Sequence, residues 1–338
     1  MSEIQLSAAL ATLNNSVTSR GNATDADLRS CCVELINGTT GELVDKQPLS
    51  RLLELFYNYC TTDKILDLID AIDTYDAIKF EDANVKTLCV ENFGGNIIDG
   101  EITKYEAAQV TSLGAVFKSN TAITKFNELK YFTGLKTLSA AFQGCSSLSE
   151  VTFPAATLNA SNTAIASLFA GGTSMKIIDL RPLKFSATTP RINLTIFGAS
   201  TNTSYKSSVE EVYFPECHVN SIYYMVGYCS NLTKVDMSLT NLANMGTTAG
   251  SMSSVASAFA QCPKLYSLIG GLPNSKRTTS FAQCNALSHA SAVALLQSLG
   301  TAGSGSTITF HQNVHLTAEE AAIGTDKGFT VTGYTLDS

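Results

Sequence analysis

A short phrase recurs along this chain, and the recurrence limits the available folds more than any other feature. Residues 141–154 read AFQGCSSLSEVTFP, and the same template returns as LFAGGTSMKIIDLRP, MVGYCSNLTKVDMS and AFAQCPKLYSLIGG. A shorter copy is SFAQCNALSH, and two looser ones are VFKSNTAITKFNEL and IFGASTNTSYKSSVEEVYFP, the latter with six extra residues. From Phe117 through Phe142, Phe169, Phe197, Val226, Phe259 and Phe281 the steps are 25, 27, 28, 29, 33 and 22 residues. A period of this size predicts a solenoid, in which each unit buries its apolar face against its neighbours. Nothing in the phrase resembles a catalyst, so a binding or structural role is expected.

The chain has 338 residues, 44% hydrophobic and 15% charged, enough to bury a substantial core. Its net charge of −7 and the lack of a Lys/Arg cluster argue against nucleic acid as a partner. The N-terminus, MSEIQLSAALATLNNSV, carries no basic and apolar pattern of a secretory signal, and no stretch reaches the length of a membrane span. No membrane insertion is therefore expected. Cys145, Cys229, Cys262 and Cys284, among nine cysteines, share one repeat position. Their spacings of 84, 33 and 22 residues match no CxxC pattern, so buried ladder thiols are expected rather than a metal site or disulfide framework.

Four regions follow from the pattern. Residues 1–75 read as short helices rich in Leu, Ile and Tyr, which either cap the repeats or dock on a partner or on copies of themselves. This anchoring or oligomerisation module makes a homo-oligomer the expected state. Residues 76–110 are a lead-in in which Asp99, Gly100, Ile102 and Glu106 have the rhythm of half an EF-hand loop. The earlier ligand positions fall on Gly95 and Ile97, so a degenerate loop without metal is expected. Residues 111–290 hold the repeats, and 291–338 read as a terminal cap, with a helix at 291–300, a strand at 306–310 and a helix at 316–328.

The phrase FNELKYFTGLKTLSAAFQGCSSLSEVTFP resembles the BspA-like leucine-rich repeats of gut Bacteroidales proteins and their phages. The lead-in and the ending LTAEEAAIGTDKGFTV are similar to the flanks of those repeats, so the resemblance covers residues 78–335. It implies an α+β leucine-rich-repeat solenoid with a small N-terminal helical module and a C-terminal cap. It also implies either a bacteriophage virion protein, a fibre, tail or capsid decoration for host attachment, or a bacterial cell-surface adhesin. The absence of an export signal favours the virion. Partners would then be other virion proteins or a second copy through residues 1–75, and a host-surface protein or glycan.

Strand alternation supplies the expected site. In LSEVTF the apolar Leu148, Val151 and Phe153 face inward, so Glu150 and Thr152 face outward. The equivalent outward pairs are Lys125/Asn127, Ile177/Asp179, Glu211/Tyr213, Lys234/Asp236 and Ser267/Ile269. This mixed-charge ladder is either a ligand surface or an ordinary solvated sheet face. No P-loop, GxSxG or HExxH is present, and the neighbours Cys217 and His218 would point to opposite faces. Neither catalysis nor a cofactor is expected.

Overall fold

In a computed structural model, residues 77–94, 100–159, 161, 163–186, 191–198, 208–243, 245, 257–302 and 305–337 are described here. The helical module expected at 1–75 and Asp99 lie outside them. Contacts divide the chain into one compact unit of residues 1–79 and 89–108, and another of 80–88 and 109–338.

In the first unit, Ile78 donates its amide to the Ile102 carbonyl at 2.9 Å, and both side chains are buried. Helices α1 (Ala83–Phe93) and α2 (Lys104–Gln109) lie along this stretch of the chain. Thr103 and Glu106 close the start of α2 reciprocally. The Glu106 Oε2 accepts from the Thr103 amide at 3.0 Å, while the Glu106 amide donates to the Thr103 hydroxyl at 3.2 Å. Glu106, the expected final ligand of the loop, is thus engaged as a helix cap.

The second unit contains parallel strands of two to five residues. β1 (Lys125–Phe126) pairs with β2 (Glu150–Val151), and a 3₁₀ turn, Asn127–Tyr131, leaves β1 directly. β3 (Thr157–Leu158) pairs with β5 (Lys184–Phe185). β4 (Ile177–Asp179), β7 (Glu211–Tyr213), β9 (Lys234–Asp236) and β11 (Ser267–Ile269) form a four-stranded sheet in that spatial order. β6 (Arg191–Asn193), β8 (Cys217–Ser221) and β10 (Thr240–Asn241) form a three-stranded one. At the C-terminal end, β12 (Thr279–Ser280), β13 (Thr307–Thr309) and β15 (Thr330–Thr332) make another, and β14 (His315–Leu316) pairs with β16 (Thr335–Leu336). Helices α3 (His289–Ser298) and α4 (Ala318–Thr325) lie between these strands in the chain. Ser288 caps α3, and Thr317 with Glu320 forms a capping box on α4.

This arrangement corrects the expected leucine-rich-repeat solenoid. Among the described residues there are six small, separate parallel sheets with a few interleaved helices, not one continuous curved strand ladder. The physical cause is strand length. Each copy of the phrase contributes two or three ladder residues before a turn, too few to join every copy into one sheet. β2, for example, pairs with β1 but does not continue into β4.

The repeated phrase instead organises the buried side chains. Phe117, Phe142, Phe169, Phe197, Phe259 and Phe281 are all buried, and Phe142 and Phe169 stack with centroids 6.0 Å apart. The cysteines tie consecutive copies together. Cys145 Sγ donates to the Phe117 carbonyl at 2.9 Å, Cys262 to that of Val226 at 3.1 Å and Cys284 to that of Phe259 at 3.5 Å. Each thiol thus reaches the carbonyl of the preceding copy's apolar anchor, a contact that suits a small, weakly polar side chain. Burial pushes the Cys145 thiol up to about 11, and burial, with the charge of Glu216 second, pushes Cys217 up to about 12. Because the thiolate is the nucleophile, iodoacetamide at pH 8 should leave Cys145 and Cys217 unmodified in the native protein and modify both after denaturation. Rapid native labelling of either, read by peptide mass spectrometry, would contradict this packing.

Candidate functional site

The outward ladder expected from alternation is divided between two sheets. On β1 and β2, Lys125 and Glu150 are cross-strand partners, with Lys125 Nζ 3.2 Å from Glu150 Oε2 and 3.5 Å from Glu81 Oε2. Thr152 is exposed and donates its hydroxyl to Asn127 Oδ1 at 3.0 Å. Asn127, expected outside, is only 9% exposed, because the 3₁₀ turn ends the strand alternation at Phe126. Its amide donates to Glu150 Oε1 at 2.7 Å and to Glu81 Oε1 at 3.3 Å. The Asn127 hydrogen bond, followed by that of Lys125, holds the Glu150 carboxyl below the usual carboxylate range. Glu150 in turn raises the Lys125 ammonium.

A second polar layer lies against this pair. Glu128 is 4% exposed; its Oε1 accepts from the Glu81 amide at 3.0 Å, and its Oε2 is buried with no partner among the described residues. Asp82 caps α1, accepting from the Asn84 amide at 2.9 Å, while its other oxygen accepts from the Thr124 amide at 2.7 Å and hydroxyl at 2.8 Å. Burial pushes the Asp82 carboxyl up, but the hydrogen bonds from Thr124, Asn84 and Val85 together outweigh it and hold it low. Its contribution to stability is therefore complete above about pH 4, where the unfolded carboxyl is ionised. That contribution is lost as pH falls through the lower folded value. Asp82→Ala should cost about 1–2 kcal/mol at pH 7, with a smaller difference from wild type at pH 3. Urea midpoints at the two pH values read this directly, and an equal difference at both would contradict the assignment.

The larger patch lies on the four-stranded sheet. Pairing aligns Ile177, Glu211, Lys234 and Ser267 in one row, and Asp179, Tyr213, Asp236 and Ile269 in the next. Six of these, Asp179, Glu211, Tyr213, Lys234, Asp236 and Ser267, are half-buried, while the strand neighbours Val212 and Val235 are fully buried. Lys234 Nζ donates to the Tyr213 hydroxyl at 2.6 Å and lies 3.5 Å from Glu211 Oε2, and the Tyr213 hydroxyl donates to the Glu211 carboxylate. Arg181, which alternation alone did not identify, reaches in from the turn after β4. Its Nε and Nη2 donate to the two Asp179 oxygens at 2.8 and 2.6 Å, and its guanidinium lies 4.3 Å from the Tyr213 ring centroid. Lys234 Nζ lies 4.7 Å from the same centroid. The Arg181 hydrogen bonds hold Asp179 low, and the Tyr213 hydroxyl, then Glu211, raise Lys234.

Tyr213 is thus the hub of a pre-ordered charged face rather than an open stacking platform. Asp236 Oδ1 accepts from the Ser238 amide and hydroxyl, and Asp179, Glu211 and Asp236 outnumber Arg181 and Lys234, which leaves the face with an acidic excess. Ile177 and Ile269, 54% and 39% exposed, sit at its two edges.

The histidines lie elsewhere. His289 faces the His315 carbonyl at 2.8 Å and Glu320 at 3.0 Å, and His315 Nδ1 is 2.8 Å from Asp337. Cys217 is buried and His218 half-buried on opposite faces of β8. Among the described residues, no group of three or more His, Cys, Asp or Glu is placed to hold a metal ion, and no helix is long and apolar enough to cross a membrane.

No family model and no curated protein matches the chain. Together with the separate sheets, this overturns the BspA-like resemblance and the functions drawn from it. A simple leucine-rich-repeat domain of a virion fibre or an adhesin does not fit an architecture of discrete parallel sheets with Asp82, Asn127 and Glu128 buried in a polar network. Nothing observed points to a phage or adhesive role.

Proposed function

We propose that the protein is a non-catalytic binding protein that takes a polypeptide on the outward face of β4, β7, β9 and β11. The observation that carries this reading is the composition of that face. Held side chains of both signs, with Asp236 in excess, lie between two exposed isoleucines about 15 Å apart by strand spacing and rise. Such a face complements a segment that carries Lys or Arg between apolar residues. Pre-ordering of Arg181, Tyr213 and Lys234 lowers the side-chain entropy lost on binding. The exposed apolar edges supply the desolvated contacts that dominate affinity. Cys217, His289 and His315 support the non-catalytic part, because each is engaged in packing or in contacts near the end of the chain.

The test is selection from a random peptide display library on the immobilised full chain. Recovered sequences should carry basic residues between apolar ones. Their binding should weaken at least tenfold, about 1.4 kcal/mol, in the double variant Ile177→Ser/Ile269→Ser and also in Asp236→Asn. The latter keeps the oxygen that accepts from Ser238 while removing the charge. Affinity should also fall with added salt. Recovery of the same sequences, with unchanged affinity, on both variants would exclude this face.

A further inference from the structure

Around the anchors Phe142, Phe169, Val226 and Phe259 the backbone turns twice through the left-handed region, and after Phe117 once, and the residues there are mostly small. Two positions before the anchor stand Ala140, Ser167 and Ser257, with φ of 54°, 57° and 57°. Two positions after it stand Ser119, Gly144, Gly171 and Gln261. The copy anchored on Val226 departs from this pattern. Both of its left-handed positions are tyrosines, Tyr224 at φ 48° and Tyr228 at φ 70°. A bulky aromatic residue in this region is a rare and strained choice. Here it occurs twice within five residues, where neighbouring copies show that small residues suffice.

The two tyrosines join Tyr223 in one partly exposed cluster. Tyr223 and Tyr224 meet edge to face with centroids 4.5 Å apart, and Tyr224 and Tyr228 are 5.8 Å apart. These spacings are ring-to-ring contacts, so no cation fits between the rings as it would in an aromatic cage. The partly exposed ring surfaces remain as the recognition elements. The adjoining copies present neutral groups. Tyr228 donates its amide to the Ala260 carbonyl at 2.6 Å, and the exposed Gln261 that follows donates its own amide to the Gln283 side chain at 3.0 Å.

We propose that Tyr223, Tyr224 and Tyr228, with Gln261 and Gln283 beside them, form a binding site for neutral carbohydrate, separate from the charged sheet face. A pyranose ring offers an apolar C–H face that packs on an aromatic ring and a rim of hydroxyls that pair with side-chain amides. The uncharged, aromatic and amide-rich composition of the turn row matches both halves of that surface. An acidic or basic ligand would find no opposite charge among these five residues.

The full chain, which contains no tryptophan, reports binding through its tyrosine absorbance and fluorescence. The probes are cellohexaose, maltoheptaose, laminarin and chitohexaose, titrated calorimetrically and optically. At least one should bind saturably. Tyr224→Gly and Tyr228→Gly should each weaken it at least tenfold while leaving the melting temperature unchanged or raised, since glycine relieves the left-handed strain. Tyr213→Phe, on the sheet face, should leave it unchanged. The site is excluded if none of the four glycans binds, or if binding survives the double glycine variant. It is also excluded if a proline-rich peptide binds through these tyrosines while the glycans do not. A large loss of stability in the glycine variants would assign the tyrosines to packing and overturn the proposal as well.

Discussion

Phe142→Ala is expected to destabilise the protein by about 3–5 kcal/mol. The ring is fully buried, with centroids 5.9 Å from Phe117, 6.2 Å from Phe126 and 6.0 Å from Phe169. These neighbours belong to the copies before and after, so the cavity opens between copies rather than within one. Backbone bonds from Phe142 to the Leu168 carbonyl at 3.0 Å and from Gly144 to that of Ala170 at 2.7 Å resist its collapse. Denaturant titration followed by circular dichroism measures the loss, and hydrogen exchange should quicken first around Phe117 and Phe169. A loss under 1 kcal/mol would mean that the aromatic row is not a continuous core.

Gly270→Ala is the second large effect, about 2–4 kcal/mol, combining a left-handed non-glycine residue with an overpacked contact. Gly270 follows β11 at φ +77°, and a Cβ there would lie 2.5 Å from the Ser238 Cα and 2.6 Å from its nitrogen. Both atoms are backbone and cannot swing away. The neighbouring bond from the Met237 amide to the Ile269 carbonyl, 2.9 Å, holds β9 and β11 at that separation. The variant should therefore loosen the β11 edge of the four-stranded sheet. A denaturation midpoint equal to wild type would show that this close approach is not maintained in solution.

Much of the interior is legible in the sequence because a repeated phrase marks equivalent environments. The Phe anchors and Cys145, Cys229, Cys262 and Cys284 are buried as their shared position implies. The terminal helices and strand 306–310 appear within a few residues of their pattern, as α3, α4 and β13. Repetition says that units are alike; it does not say that their strands join. That step, and the family resemblance built on it, fails because the strands are short and β2 ends its sheet without pairing with β4. Asn127 was misplaced for the same reason, since alternation ends where a 3₁₀ turn begins. Glu81 and Asp82 were invisible because they reach β1 from more than forty residues away. Arg181 belongs to no strand, and only the folded turn brings it over Tyr213. The tyrosine cluster was present in the phrase MVGYCSNLTKVDMS and the two residues before it, but its meaning depends on backbone angles that composition does not display.

Amide hydrogen exchange on the full chain, with and without a library-selected basic peptide, tests the proposed binding face most directly. The account predicts slower exchange at residues 177–181, 211–213, 234–239 and 267–269, with little change on β1, β2 or the C-terminal helices. Protection confined to any other surface, with these four segments unchanged, would contradict it.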